Sequence, residues 1–328
     1  MTETLLHADE VKAAARKLGF DACGLAPAAP IDGECAAGFR RWLAEGRQGE
    51  MDYLTRNIEK RIDPRELVPG AQTVVCVALN YAPLLRPGDN GGYTLARYAL
   101  GKDYHDIVRQ RLLQLMTDIG VEGEGRAFCD TAPVLERYWA WRTGLGWRGR
   151  NTQIISPELG SYFFIGTLLL LKPADAYDEP QKARCGMCRR CVEACPAGAL
   201  SEDGRLDARR CLSYLTIERR GPLPPEAGKL MGTCIYGCDR CAEACPWNKA
   251  VRPTSLPDLQ ASDALMCMQP DDWHRMDVEQ YRTLFRGSAV KRAKYEGLMR
   301  NIEAVRRAQH TDAPQQLPTG PGDHAETP

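Results

Sequence analysis

The sequence predicts an α/β domain, then a short cysteine-rich segment, and then a run of helices. Three observations support this organisation. Strand-like apolar runs alternate with helical periods over roughly the first 170 residues, which is typical of an α/β domain with its own core. Most of the 14 cysteines crowd between Cys185 and Cys245. Residues 255–307 again place apolar side chains at helical spacing.

The elements of the α/β domain follow from periodicity and from the residues that end each run. Apolar residues share one helical face over residues 5–18, and Gly19 suits the end of that helix. Residues 73–79 form a β-branched run between turn residues, so they predict a buried strand. The other predicted elements are a helix over 106–119 that stops at Gly120, a short strand over 126–129, a helix after Pro133 that Gly144 caps, and a long buried strand over 162–171.

The chain divides into four segments at changes of composition. Residues 1–172 hold the α/β domain, and the Pro-, Ala- and Asp-rich stretch 172–181 leads into the cysteine-rich domain, 173–254. A helical segment follows over 255–310. The tail, 311–328, is polar and rich in Pro and Gly, so we expect it to be disordered.

Charge and hydropathy exclude several classes of protein. The 328 residues include 43 Lys and Arg against 43 Asp and Glu, so net charge identifies no partner. The longest apolar stretch, 163–171, is far shorter than the ~20 residues of a membrane helix. Residues 1–11 carry acids where a secretory signal needs positive charge. We therefore expect a cytoplasmic protein without a membrane segment, whose reduced cysteines are metal or redox ligands rather than disulfides.

The first cysteine motif has the spacing of a two-cluster iron–sulfur protein. This C-x2-C-x2-C-x3-C-P run consists of Cys185, Cys188, Cys191, Cys195 and Pro196. Three thiolates on a tight loop can bind three irons of one cubane, whereas the fourth points away after a short helical turn and binds the other cluster. The alternative is a structural zinc site, because C-x2-C pairs also bind zinc. Four cysteines in this order, followed by proline, favour iron.

A second motif nearly repeats the first but lacks its leading cysteine, because Ile235 stands at that position. It consists of Cys238, Cys241, Cys245 and Pro246. Either Cys211 or Cys234 could supply the missing ligand, and we assign Cys211 from the spacing. The pattern then predicts two [4Fe–4S] clusters. Their ligand sets are Cys185, Cys188, Cys191 and Cys245 for one, and Cys195, Cys211, Cys238 and Cys241 for the other.

Motifs on both sides of the first cysteine run resemble a known family. They are GEMDYL at 49–54, Arg61 with Pro64, Leu67 and Pro69, GKDYH at 101–105, DTAPVLER at 130–137, GLGWRGRNT at 144–152, GSYFFIG at 160–166, CLSYLTIE at 211–218 and IYGC at 235–238. Together they are similar to the epoxyqueuosine reductases, over roughly residues 5–307. The resemblance implies an oxidoreductase that reduces the epoxide of epoxyqueuosine, at the wobble position of a tRNA, to queuosine.

The resemblance also implies cofactors and site residues. A cobalamin (vitamin B12) would lie base-off between the α/β domain and a ferredoxin-like module, and two [4Fe–4S] clusters would reduce it. Asp130 would be the proton donor. The residues expected to approach the cobalamin are Arg61, Gly144, Gly146, Trp147, Gly166 and Ser213. Glycines in the loop 144–152 would let the backbone lie against a bulky ring, and Tyr104 and His105 would line the pocket.

Each of these assignments has a simpler alternative. Asp130 could merely cap the helix that begins near Pro133, and the glycines could form an ordinary helix cap and turn. Burial would raise the pKa of Asp130, whereas a helix N-terminus would lower it, and the sequence leaves that balance open. At the level of function, the alternatives are a corrinoid reductase of another substrate, like the reductive dehalogenases, and a ferredoxin-type electron carrier without catalytic activity. Cys129 and Cys234 have no assigned role beyond filling apolar space.

Local charge suggests where an RNA would bind. Residues 181–250 hold 12 Lys and Arg against 8 acids, and residues 281–310 hold 8 against 2. The basic candidates are Arg209, Arg210, Arg219, Arg220, Lys291, Arg292, Lys294 and Arg300, although each could equally be a solvated surface residue. Trp247 is a candidate for stacking on a base. The expected partners are a tRNA and an external low-potential electron donor, and we expect a monomer.

Overall fold

The computed structural model describes residues 5–88 and 92–311. Its strands are β1 Ala22–Pro27, β2 Thr73–Asn80, β3 Thr94–Leu95, β4 Gly125–Phe128, β5 Trp147–Arg148, β6 Ile154–Ile155, β7 Phe163–Leu170 and β8 Cys234–Tyr236. Its α-helices are α1 Ala8–Lys17, α2 Gly33–Ala44, α3 Ile58–Ile62, α4 Tyr104–Asp118, α5 Glu136–Arg142, α6 Arg190–Glu193, α7 Leu212–Ile217, α8 Ala227–Met231, α9 Arg240–Glu243, α10 Asp263–Met266, α11 Pro270–Arg275, α12 Val278–Leu284 and α13 Lys294–Thr311. The tail predicted to be disordered lies outside the described residues from residue 312 onward.

A four-stranded sheet in the order β1-β2-β7-β4 forms the centre of the N-terminal part. All three pairs in it are antiparallel. The expected mixture of α and β structure is therefore confirmed, but this sheet contains no parallel pair of the kind that a βαβ unit would give. Helix α4 packs on one face and α5 on the other, so both faces are covered and every residue of β2 is buried.

The predicted strands and helices are present, with ends shifted by one to a few residues. The helix expected near Pro133 begins only at Glu136. Several elements were missed, among them β1 and α2. The sequence of β1, ACGLAP, has low strand propensity, and the strand forms because all six of its residues pair with β2. Within residues 5–88 and 92–311, we find no helix with the length and hydropathy needed to cross a membrane.

The cysteine-rich segment and the C-terminal helices share a core with the N-terminal part. The largest hydrophobic cluster includes residues from α1, β2, α4, α7, β8 and α13, so it crosses the boundaries expected at 172 and 254. Strand β3 pairs in parallel with β8, which directly precedes Cys238. In addition, the Lys102 N–H donates to Asp258 O at 2.7 Å and the Asp103 N–H donates to Gly287 O at 2.6 Å. These contacts place β8, next to the second cysteine motif, against β3 and the C-terminal segment against the GKDYH segment.

Candidate functional site

A deep cleft lies between the N-terminal part and the cysteine-rich segment. Its volume is about 2470 Å³, whereas pockets for drug-sized ligands usually measure about 300–1,000 Å³. One wall is built from the loop before α5 and from β7, and the opposite wall comes from the residues around α7 and α9. The cleft therefore has room for a large cofactor together with a substrate group.

One set of thiols, called the outer set, has a single member, Cys185, among the residues that line the cleft. It consists of Cys185, Cys188, Cys191 and Cys245. Burial raises the pKa of Cys191, and the neighbouring sulfurs of Cys185 and Cys245 raise it further. Burial likewise raises the pKa of Cys245, with Cys185 and Cys188 adding to the shift. Trp147 and Trp247 pack beside this set, and their ring centroids are 4.9 Å apart.

The second set of thiols lines the cleft itself. Its members are Cys195, Cys211, Cys238 and Cys241. Burial raises the pKa of Cys241 to about 12, and the sulfurs of Cys238, Cys211 and Cys195 contribute to the shift. Cys234, by contrast, is not among the residues that line the cleft, and its Sγ donates to Gly237 O at 3.1 Å. The geometry thus places Cys211, rather than Cys234, among the other three.

These two sets fit iron–sulfur clusters chemically. A buried thiol with a raised pKa keeps its proton, and a positively charged iron core is what allows such sulfurs to become thiolates. In the described part of the chain, no three Cys, His or carboxylate groups converge closely enough for a single metal ion. A cubane holds its four thiolates further apart than a single ion does.

Asp130 lies in the cleft, at the centre of a small polar network. Tyr104 Oη donates to Asp130 Oδ2 at 2.6 Å, and His105 Nε2 lies 3.7 Å from the same oxygen. On its other side, His105 Nδ1 is 2.6 Å from Asp103 Oδ1. Asp103 is also the N-cap of α4, where its side chain accepts the His105 N–H. The helix start therefore fixes the imidazole between two carboxylates.

The network lowers the pKa of Asp130 and raises the pKa of His105. Enclosure by the cleft raises the pKa of Asp130, but hydrogen bonds from His105 and Tyr104 outweigh this effect, and the pKa is lowered overall. For His105, burial lowers the pKa, yet the hydrogen bonds to Asp103 and Asp130 raise it to about 9. Near neutral pH the free site thus has an Asp130 carboxylate beside a charged His105. Hydrogen bonds, rather than the helix N-terminus considered from the sequence, lower the pKa of Asp130, because α5 begins only at Glu136.

Asp130 does not cap a helix. Five residues separate it from Glu136, where α5 begins, and the residue before α5, Leu135, provides no side-chain cap. The Asp130 side chain is 64% exposed to the solvent that fills the cleft. Its backbone is left-handed, with φ of +55°. The simpler alternative for this residue is therefore wrong.

The structure brings only some of the predicted cofactor residues to the cleft. Arg61 and Ser213 line it, together with Tyr104 and His105. Gly144, Gly146, Trp147 and Gly166 are not among the lining residues. Gly144 ends α5 with φ of +75° and contacts the backbone of Glu179, so it is a helix terminator.

The other three residues also have packing roles. A Cβ on Gly166 would lie 2.7 Å from Val108, so glycine is needed where α4 meets the sheet. A Cβ on Gly146 would lie 2.4 Å from Ile155 O, across the β5–β6 pair. Trp147 is fully buried beside Cys245. Each of the four residues thus has a packing role, and none of them is among the residues that line the cleft.

Sequence reasoning missed the tip of the β5–β6 hairpin. Gly149, Arg150, Asn151 and Thr152 line the cleft. Asn151 is 2% exposed, and its Nδ2 has no hydrogen-bond partner among the described residues. Thr152 has φ of +66°, which is rare for a β-branched residue. The residues that line the cleft belong to the second half of the glycine-rich GLGWRGRNT motif, whereas the cofactor residues were expected in its first half.

Buried donors without partners indicate that the cleft binds a ligand with acceptor groups. Arg61 is 7% exposed; its guanidinium donates to Tyr53 O at 2.9 Å, but its Nε has no partner within the described chain. Burial lowers the pKa of Arg61. Together with Asn151, this side chain fits a bulky cofactor edged with amide or phosphate oxygens, as cobalamin is. The residues present therefore fit the group that the family resemblance implies.

Most of the basic candidates for RNA contact are committed to partners within the chain. Arg209 pairs with Asp207 at 2.7 Å and Arg292 with Glu218 at 2.7 Å. Arg300 donates to the carbonyls of three residues, Leu215, Arg219 and Gly221. Arg292 nevertheless lines the cleft, and the other exposed cations that line it include Arg41, Arg56, Arg137, Arg148 and Arg205.

Comparison with known proteins agrees with this site. Residues 184–248 match the family model described as "4Fe-4S double cluster binding domain". With two sets of four cysteines in that segment, the fold and the site define a two-cluster iron–sulfur protein. Residues 61–131, which hold the network around Asp130, match the model described as "Epoxyqueuosine reductase QueG, DUF1730".

Similar whole proteins make the family definite. An epoxyqueuosine reductase of Leadbetterella byssophila is 42% identical over 303 residues, which cover 92% of this chain and 98% of the relative. The chain therefore belongs to the epoxyqueuosine reductase family. The structure of one epoxyqueuosine reductase with a tRNA-Tyr stem loop carrying epoxyqueuosine has a TM-score of 0.81 and 27% identity, and covers 92% of this chain and 80% of that one. The Bacillus subtilis enzyme, with its catalytic Asp loop swung out of the active site, has a TM-score of 0.81 and 27% identity, and covers 92% and 81%.

The Asp103–His105 contact predicts a measurable pKa. We expect a pKa of about 9 for His105, and a decrease toward the ordinary 6.5 in Asp103→Asn, because the substitution removes the main partner that favours the charged ring. NMR titration of the His105 ring signal in cobalamin-free protein measures both values. Since the folded-state pKa is the higher one, the charged ring stabilises the fold fully below the ordinary pKa, and this contribution is lost as pH rises through about 9.

The control for this titration is Asp106→Asn, an exposed neighbour on the same helix, which should leave the pKa of His105 unchanged. An ordinary pKa in the unmodified protein, or no decrease in Asp103→Asn, would contradict the network described here.

Proposed function

We propose that this protein reduces the epoxide of epoxyqueuosine in tRNA to queuosine, and that Asp130 delivers a proton to the departing oxygen. The observation that carries the proposal is the position of Asp130 in the same cleft that the second thiol set lines. Removal of the epoxide oxygen as water takes two electrons and two protons and leaves an alkene. For the electrons, the cleft provides sulfur ligands for an electron carrier. For the protons, it provides a carboxyl group in a hydrogen-bonded network.

The electron route runs from the outer thiol set to the inner one. We propose that Cys185, Cys188, Cys191 and Cys245 hold the outer [4Fe–4S] cluster, and that Cys195, Cys211, Cys238 and Cys241 hold the inner one. A cobalamin bound in the cleft would supply low-potential electrons for the reduction. Arg61, Ser213 and the hairpin tip at 149–152 bind its edge, and the buried Arg61 guanidinium is the donor best placed for an anionic group on it.

Asp130 must gain a proton before it can give one. His105 is the adjacent charged group, 3.7 Å away. We propose that His105 supplies the proton when substrate fills the cleft, because loss of water disfavours the Asp130 carboxylate and the charged ring together. Tyr104 keeps its own proton, since burial and the neighbouring Asp130 raise its pKa far above the ordinary value. Its hydroxyl therefore orients the carboxyl rather than competing for the proton.

The segments at 1–172, 173–254 and 255–310 divide the work of the protein. We propose that the first carries the proton network, the second the clusters, and the third a support for both, since Gly287 and Asp258 anchor the GKDYH segment. They share one hydrophobic core, so the division is one of function rather than of independent folding. The tRNA reaches the cleft from the cytoplasm, and its phosphates contact the exposed Arg41, Arg56 and Arg137.

The proton-donor role is tested by Asp130→Asn. Asparagine tolerates the left-handed backbone, so we expect normal iron content and cobalamin retention, with turnover lowered by about 10²–10⁴. Mass spectrometry of nucleosides from epoxyqueuosine-containing tRNA measures the queuosine formed. The exposed Asp106→Asn is the control and should keep full turnover. Full turnover in Asp130→Asn would end this assignment, and no queuosine from the unmodified protein would end the proposed function.

The ligand set is tested by comparing Cys211→Ser with Cys234→Ser. After anaerobic reconstitution, the unmodified protein should hold about eight irons, as two [4Fe–4S] clusters require. Cys234→Ser should hold the same number, because the Cys234 sulfur donates to Gly237 O and the residue does not line the cleft. Cys211→Ser should lose most of the inner cluster and fall toward four. The reverse ranking of the two variants would assign Cys234 as the ligand.

The RNA surface is tested by reversing charge at the cleft. The double variant Arg41→Glu with Arg56→Glu should weaken tRNA binding by at least about tenfold and lower the slope of log K against log salt, because each phosphate contact contributes to that slope. Arg16→Glu, on the exposed side of α1 away from the cleft, is the matched control and should bind normally. Unchanged binding in the double variant would place the RNA on another surface.

A further inference from the structure

The loop between β4 and α5 holds Asp130 in a conformation that the residue does not prefer. Asp130 is one of four non-glycine residues with positive φ in the described chain. Aspartate adopts this conformation more readily than most L-residues, and the surrounding contacts hold it there. Two such contacts involve the side chain, from Tyr104 and His105. A third acts on the backbone, and it is the one that fixes the turn itself.

The backbone contact comes from Glu136. The Asp130 N–H donates to both carboxylate oxygens, Oε1 and Oε2, at 3.0 Å each. Glu136 is the first residue of α5, and its side chain turns back toward the loop that precedes the helix. A carboxyl group can accept this hydrogen bond whether it is charged or protonated. The Glu136 carboxyl group therefore connects the start of a helix to the strained residue.

Helix α5 is a firm anchor for this connection. Tyr138, Trp139 and Ala140 are buried in the hydrophobic cluster that covers one face of the sheet. Thr143, just beyond the helix, contacts Gly24 of β1 through its backbone carbonyl. The loop residues Asp130 and Thr131, by contrast, are exposed to the cleft. The helix start is thus fixed by the core, and the loop depends on the helix.

The surroundings of Glu136 are unfavourable for an acidic side chain that makes no specific contact. The charged and titratable groups near it are Asp130, His105, Arg137, Cys129 and Cys76. Burial raises the pKa of Glu136 to about 8, and the charge of Asp130 raises it further, while the Asp130 N–H, His105 and Arg137 oppose the shift. An acid placed beside another acid in a poorly hydrated site destabilises the fold unless it makes a specific contact.

We propose that Glu136 is a positioning residue, which holds the Asp130 N–H and thereby keeps the Asp130 carboxyl turned into the cleft. The inference rests on the proposed role of Asp130 as proton donor, through which Glu136 acts. Removing the contact frees the loop to leave the cleft, while the fold, the clusters and the cobalamin site stay in place.

The experiment measures amide hydrogen exchange in the full chain with reconstituted clusters and without cobalamin. In Glu136→Ala both acceptor oxygens are lost, and we expect the peptide that contains Asp130 to exchange at least about tenfold faster. Glu136→Gln keeps one acceptor oxygen and should show an intermediate rate. Glu296→Ala, an exposed first-turn glutamate of α13, is the matched control and should exchange normally.

Kinetics separate positioning from general destabilisation. In Glu136→Ala we expect kcat to fall by about 10–100-fold with KM for tRNA unchanged, and Glu136→Gln should recover part of kcat. Unchanged exchange at Asp130 in both variants would overturn the inference. Faster exchange spread through β4 and α5 would also overturn it, because Glu136 would then support the helix and not the loop. Should Glu136→Ala fail to fold, the Glu136→Gln result alone decides.

The outcomes distinguish this inference from the function on which it rests. If Asp130→Asn kept full activity and Glu136→Ala showed faster loop exchange, the contact would be confirmed. It would then have no role in catalysis. If Asp130→Asn lost activity while Glu136→Ala had normal exchange and normal kcat, Asp130 would remain the proton donor. Glu136 would then have no positioning role.

Discussion

Each thiol set contains one cysteine from the other motif, and this arrangement constrains the residues that line the cleft. Cys195 belongs to the first motif but lies with Cys211 and Cys241, and Cys245 belongs to the second motif but lies with Cys185. Helices α6 and α9, one from each motif, pack against each other as a result. Neither motif can then shift alone. The parallel β3–β8 pair attaches this unit to the N-terminal part, so the wall that faces Asp130 is set by the same arrangement that groups the sulfurs.

Structural elements that depend on residues close in the sequence could be predicted, whereas elements that depend on residues distant in the sequence could not. The periodicity of 73–79 and 162–171 predicted strands, because fully buried strands are continuous apolar runs. Strand β1 has no such run and exists only through its pairing with β2. The choice of Cys211 followed from spacing, but the reason it joins its set is tertiary: the Ala208 N–H donates to Arg47 O at 3.0 Å, and this contact holds the turn before Cys211.

The glycines show the limit of reasoning from residue type. A glycine indicates that something approaches the backbone closely, but the sequence does not say whether that neighbour is a ligand or the chain itself. At Gly166 the neighbour is Val108, and at Gly146 it is the backbone of Ile155. The better signal for the cleft was polar and buried. Arg61 and Asn151 have donors without partners among the described residues, and buried polar groups left unsatisfied by the chain are rare enough to indicate a ligand.

Several arginines of this chain donate to its own backbone carbonyls. Arg240 donates to Leu230 O and Met231 O at the end of α8, where carbonyls lack helical partners. Arg300 does the same for the residues that follow α7. Basic residues counted along a segment therefore overstate its attraction for phosphate. An RNA-binding protein can be neutral overall when a few cations, here Arg41, Arg56 and Arg137, stand exposed beside the cleft, because phosphate contacts depend on where charge is accessible rather than on its total.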